Sequence, residues 1–246
     1  MSAIAEETTA PRGGRVGTGR PFYLAMALAI AATSFWGFGR SAAMHGFNYS
    51  TLPPLVHVHA LVFVAWILFF VLQSGLIVSG SVTLHRRLGL FGAAVAALMV
   101  ALGVATTIGA LQREGGVPPF FPRNIFLVLD CVGALTFGGL TAAAIVLRRK
   151  AEWHKRLMLC GTIVVMSPAL GRILPMPQLG KLAPLAVFGC VLVYVLAGVV
   201  HDLVTRKRIH PAYYWGLAVI AITQFLIPPL AFTPVVVDWT ARLGGH

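Results

Sequence analysis

An all-α bundle of seven transmembrane helices is the fold class this sequence predicts, and three observations carry it. Charged residues make up only 11% of the 246 residues and hydrophobic ones 58%, whereas a soluble domain needs about 25% charged residues to wet its surface. The mean hydropathy is +0.84. The apolar residues are gathered into seven stretches, each near the roughly 20 residues that an α-helix needs to cross a hydrocarbon core.

The runs follow in order. Residues 1–20 are polar and rich in Gly, Ala, Thr and Arg, which reads as a disordered cytoplasmic tail. The first run, Pro21–Gly39, has a long polar stretch before it and no A-x-A site closing it, so it is expected to stay as a helix. The second, Pro54–Gly80, opens at a Pro-Pro pair; the third, Leu88–Leu111, follows Arg86-Arg87. The fourth is Asn124–Leu147, and the fifth, Arg156–Leu174, ends at Pro175. Ala183–Val204 and Ala212–Phe232 complete the set, leaving 233–246 as a short extracytoplasmic tail. No connection is long enough for another domain, so 21–232 reads as one transmembrane domain.

Orientation comes from Lys and Arg on alternate sides of these runs. The side holding the N-terminus carries 13 of the 19, among them Arg148, Arg149 and Lys150, and the other side carries 6. The excess predicts an N-terminus in the cytoplasm and, after seven crossings, a C-terminus outside. The net charge of +12 thus belongs to loops beside anionic lipid. It forms no stripe of the kind a nucleic acid needs, so the partner is the bilayer and not nucleic acid.

An internal echo joins two of the cytoplasmic connections. His85-Arg86-Arg87-Leu88-Gly89-Leu90-Phe91-Gly92 reads against His154-Lys155-Arg156-Leu157-Met158-Leu159-Cys160-Gly161, with His, two cations, Leu, Leu and Gly at identical offsets. Both segments open a run that leads outward. The second and third runs, and the fourth and fifth, therefore read as parallel hairpin repeats. The sixth and seventh fit as a worn third copy, with Arg206, Lys207, Arg208 and His210 ahead of Pro211.

Polar residues carried into lipid are costly and are the first functional candidates. His57, His59 and Asp130 fall in one outer layer, with Arg172 closing the fifth run and Gln224 midway along the seventh. On a regular helix His57 and His59 point about 200° apart. His59, Trp66 and Gln73 recur at seven-residue intervals and share a face, which makes that face the interior. Asp130 must be neutral, paired or wet, and His59 and Arg172 are its first partners. His57, His59 and Asp130, with loop residue His45, form a candidate metal set; a buried structural pair explains the same residues.

The inner layer holds His85, His154, His201 and His210. They read either as interfacial anchors or as axial ligands to a haem, which takes one nitrogen from each of two facing helices. His85, His154 and His201 are the cofactor candidates. Cys131, Cys160 and Cys190 lie in three different runs with no close-spaced partner, so they read as packing residues. No G-x-S-x-G, HExxH or P-loop sequence occurs, which argues against a hydrolase.

His57-Val58-His59 with Trp66, Gln73 and His85-Arg86-Arg87-Leu88-Gly89, partly copied at His154-Lys155-Arg156-Leu157, resembles uncharacterised multi-pass bacterial inner-membrane proteins. It is also loosely similar to b-type transmembrane cytochromes. The likeness covers residues 55–175 and departs from the cytochrome pattern at Asp130, where a second histidine would be expected. It implies a redox-linked role with haem b or a transition metal, and with it a redox partner or quinone. A small proton-coupled transporter with a polar site around His59, Asp130 and Gln224, and a non-catalytic membrane scaffold, are the alternatives the residues leave open.

Overall fold

The computed structural model describes residues 20–45, 51–118 and 121–243, except for the side chain of His45. Of the expected N-terminal tail, 1–19 lie outside the described residues. Every regular element among those described is helical: α1 (Arg20–His45), α2 (Pro54–Val78), α3 (Val82–Leu111), α4 (Arg123–Val146), α5 (Ala151–Val165), α6 (Ser167–Ile173), α7 (Met176–Leu179), α8 (Ala183–Arg206), α9 (Pro211–Ala231) and α10 (Pro234–Leu243). A 3₁₀ turn, Gly180–Leu182, joins α7 to α8.

Six helices are long and apolar enough to cross a membrane, and the bent pair α5–α6 makes up to seven. In each long helix only 22–33% of the most apolar window is buried inside the protein. The remainder presents Leu90 (81% exposed), Val146 (75%) and Phe225 (65%) outward, a surface that only hydrocarbon satisfies. The protein is therefore a multi-pass membrane protein by helix length and hydropathy.

The fifth run departs from a straight rod. It divides at Met166 into α5 and α6, bent by 44°. Pro168 has no N–H to give the Val164 carbonyl four residues back, and its ring collides with that carbonyl in a straight helix. The Ser167 hydroxyl donates to Val164 O instead, at 2.9 Å. At the other end, α3 and α5 begin three residues before His85 and His154, so both histidines sit inside helical first turns. Residues 234–243 form a further helix with an Asp238–Arg242 pair at 2.6 Å along one face and Val235, Val237 and Trp239 exposed on it.

α4 lies at the centre, packed against α3, α5 and α9; α2 flanks α3, and α1 closes against α2 and α6. Interlocking of rings and small residues sets these distances. Trp66 of α2 meets Phe137 of α4 edge to face, ring centres 5.0 Å apart, both almost fully buried. Gly37 of α1 lies so near the Ala169 backbone, and Gly198 of α8 so near the Tyr213 ring, that no Cβ fits at either. Close approach through small residues is the usual basis of helix association in lipid.

Candidate functional site

Among the described residues, the His, Asp, Glu, Lys and Arg side chains lie toward the two ends of the bundle. At the end where α3 and α5 begin, the imidazoles of His85 and His154 stand edge to face, ring centres 6.2 Å apart and planes at 78°. His154 Nδ1 lies 2.9 Å from Ala144 O on α4. A carbonyl can only accept, so Nδ1 carries the hydrogen and Nε2 is left with its lone pair. His85 is fixed through its backbone, whose carbonyl accepts from Gln73 Nε2 at 3.3 Å. His85 Nδ1 and Gln73 Oε1 are buried with no protein partner.

Beside this pair lies a charged network that the sequence did not announce. Arg156 and Asp202 are 1% and 0% exposed and form a two-toothed ion pair between α5 and α8, Nε to Oδ2 at 2.9 Å and Nη2 to Oδ1. The Glu152 carboxylate accepts from Lys155 at 2.6 Å, from Arg156 at 2.7 Å and from Arg206. Asp202 Oδ2 also accepts the His210 N–H at 3.0 Å. The Tyr213 ring lies beneath the guanidinium, 5.5 Å from its carbon. A lone buried ion would be prohibitive in this setting; the second ion and the extra hydrogen bonds make it tolerable. The signal was present in one respect, since Asp202 is one of seven acidic residues and stands in an apolar run, but its partner is 46 residues away.

His210 joins the same network from outside the spans. Its Nδ1 accepts from Ala212 N at 3.1 Å, capping α9, which leaves the hydrogen on Nε2. Burial first, and then the charges of Arg156 and Arg206, hold its pKa below the ordinary 6.5. His201 is separate from His85 and His154: its ring stacks on Phe22 with centres 3.9 Å apart.

The opposite end holds His57, His59, Asp130 and Arg172. His57 is exposed, and its Nδ1 reaches only Pro53 O at 3.2 Å in its own first turn. His59 lies against Phe63, ring centres 4.2 Å apart and planes tilted by 30°, with Nδ1 buried and unpartnered by protein. Asp130 is half-buried, lies against the Thr107 hydroxyl and feels the charge of Arg172, which reaches His59 as well. The Arg172 guanidinium itself lies 4.3 Å from the centre of the Phe38 ring and donates to Pro168 O at 2.9 Å. Gln224 is half-buried on α9. Among the described residues no three His, Cys, Asp or Glu side chains stand close enough to hold a metal ion, so His57, His59 and Asp130 are not drawn into one cluster. The side chain of His45 lies outside the described residues.

No protein-family model matches the chain, and no curated protein or solved structure is significantly similar to it. The helices alone define the class: a multi-pass integral membrane protein.

Proposed function

We propose that this protein is a redox-linked component of a bacterial inner membrane that holds haem b between His85 and His154. The observation that carries the reading is the close pair of imidazoles from α3 and α5. A haem iron held by these two residues would take one ring nitrogen from each, so the two rings would have to come close together. The separation here is 6.2 Å. His154 gives its Nδ1 hydrogen to a backbone carbonyl, the arrangement that orients a ligating histidine and leaves Nε2 for the metal. A bare transition metal would want three or four protein ligands, and no third one is at hand among the described residues. A porphyrin supplies four nitrogens itself, so two histidines suffice. Haem, when bound, would supply one-electron chemistry; the chain's own part is to hold the two rings and to set the polarity around them.

The same pair supports the parallel repeat. Trp66 and Phe137 differ by 71 residues, and so do Gln73 and Ala144, while His85 and His154 differ by 69. Equivalent residues of two copies meet each other only on an axis that relates them, and His85 and His154, equivalent in the echo, lie next to each other as such a pair would. With α5–α6 taken as one broken span, the chain crosses seven times, N-terminus in the cytoplasm, and a quinone or a redox protein would exchange electrons with the site.

The test is haem titration of the detergent-purified protein. The wild type should give the sharp low-spin bands of two imidazole ligands. His85→Ala and His154→Ala should each lose them, while His201→Ala keeps them. A wild type that takes up no haem removes the proposal.

A further inference from the structure

α4, α5 and α9 pack on one another, yet they leave an open groove of about 600 Å³ along their outer side, where Leu135, Trp215 and Leu226 are exposed. It runs from Leu147, Trp153 and Trp215, at the end where α5 and α9 begin, to Val132 and Leu230 toward the other. Small residues on α4 make the space: Ala143 lines it, and a Cβ added at Gly139 would meet nothing within 4 Å. From Val132 to Leu147 on α4, and from Trp215 to Leu230 on α9, the helices rise about 22 Å. One leaflet of a bilayer holds about 15 Å of hydrocarbon, so the groove is long enough to take an acyl chain along its full reach.

The lining asks for an apolar occupant. Beyond the two indoles, only Thr136 and Thr223 bring polar side chains to it, and both hydroxyls already donate to carbonyls of their own helices, at 2.7 and 2.8 Å. The mouth is the opposite. Leu147 is followed by Arg148, Arg149 and Lys150, and α9 is preceded by Lys207 and Arg208; all five are exposed. The Trp153 ring meets His210 edge to face, centres 5.3 Å apart, which holds the α8–α9 connection against the start of α5. Both cationic connections therefore flank one mouth.

Acids do not neutralise it. None of the five cations forms an ion pair among the described residues. Glu152, close by in sequence, is already shared by Lys155, Arg156 and Arg206, and Asp202 is held by Arg156. At the far end of the groove the cations are spent: Arg123 donates to Leu111 O, and Arg242 pairs with Asp238. An apolar slot that opens on unpaired cations and two indoles matches an amphiphile with a long chain and an anionic head.

We propose that this groove is a binding site for an anionic phospholipid, with an acyl chain laid between α4 and α9 and the phosphate held by cations of the α4–α5 and α8–α9 connections. Attraction of cationic loops to an anionic surface needs no groove; this site joins the two. It uses neither His85 nor His154 and stands or falls separately from the haem reading.

The test is native mass spectrometry of the full chain in mild detergent, titrated with phosphatidylglycerol or with phosphatidylcholine of the same acyl chains. Phosphatidylglycerol should be retained as one tight equivalent, several-fold more strongly than phosphatidylcholine. Arg149→Gln with Lys150→Gln should weaken it several-fold. Arg86→Gln with Arg87→Gln, which removes the same charge from the exposed α2–α3 connection, should not. Gly139→Leu puts a side chain into the open groove and should weaken phosphatidylglycerol binding at unchanged charge. Equal affinity for the two lipids, equal loss in the two double variants, or full binding in Gly139→Leu would overturn the proposal.

Discussion

At the residue scale, the Arg156–Asp202 pair is the largest single commitment of the interior. With both ions almost completely buried, removing one leaves the other uncompensated, at a cost of about 3–5 kcal/mol. Asp202→Asn and Arg156→Met should each lower the thermal midpoint in detergent sharply. Arg156→Met combined with Asp202→Leu should recover most of the loss, because two apolar side chains need no partner; a double variant worse than either single one contradicts this. His210 makes a prediction in pH. Its folded-state pKa lies below 6.5, so the unfolded chain takes up a proton first and stability falls as pH drops below about 6.5. His210→Asn keeps a capping acceptor but does not titrate. Unfolding midpoints compared at about pH 7 and about pH 5.5 should fall less in His210→Asn than in the wild type.

At the element scale, the α5–α6 bend is assigned to Pro168. Pro168→Ala restores the N–H to Val164 O and removes the ring, so the two segments should realign. Spin labels at positions 151 and 173 should then move apart by about 2 Å, the difference between a bent and a straight helix of this length. An unchanged separation places the cause in the packing of α6 on α1. The elements also show how far the sequence reaches. The apolar runs were legible because length and hydropathy are local properties, and the face bearing His59, Trp66 and Gln73 was legible because helical periodicity is local too: Trp66 and Gln73 are buried as that face requires. Pro168 was equally visible, but one proline in an apolar run does not say whether the helix kinks or breaks. α10 was missed because ten residues with three valines and a tryptophan are too few to separate a surface helix from a tail. The Arg156–Asp202 contact was beyond reach, since choosing one cation out of 19 for an acid 46 positions away is a question of tertiary packing.

At the scale of the whole molecule, the charge asymmetry and the count of crossings make one joint prediction. If α5–α6 is a single span, single cysteines placed in the N-terminal tail and after α10 should be labelled from opposite sides of intact cells by a membrane-impermeant reagent, the N-terminal one only after the membrane is opened. Labelling of both from the same side would make α5–α6 a re-entrant hairpin and the number of crossings six. Along the bundle stand the imidazoles of His85 and His154 at one end, Trp66 on Phe137 between, and His59 and Asp130 toward the other. The redox reading depends on whether the first of these stations holds iron. The most direct measurement is the absorption spectrum, with iron analysis, of the protein purified from native membranes in mild detergent. The expected result is one iron per chain, with a Soret band and reduced bands of a bis-histidine haem that vanish together in His85→Ala and His154→Ala. A colourless, iron-free preparation that stays colourless when haem is supplied would contradict it.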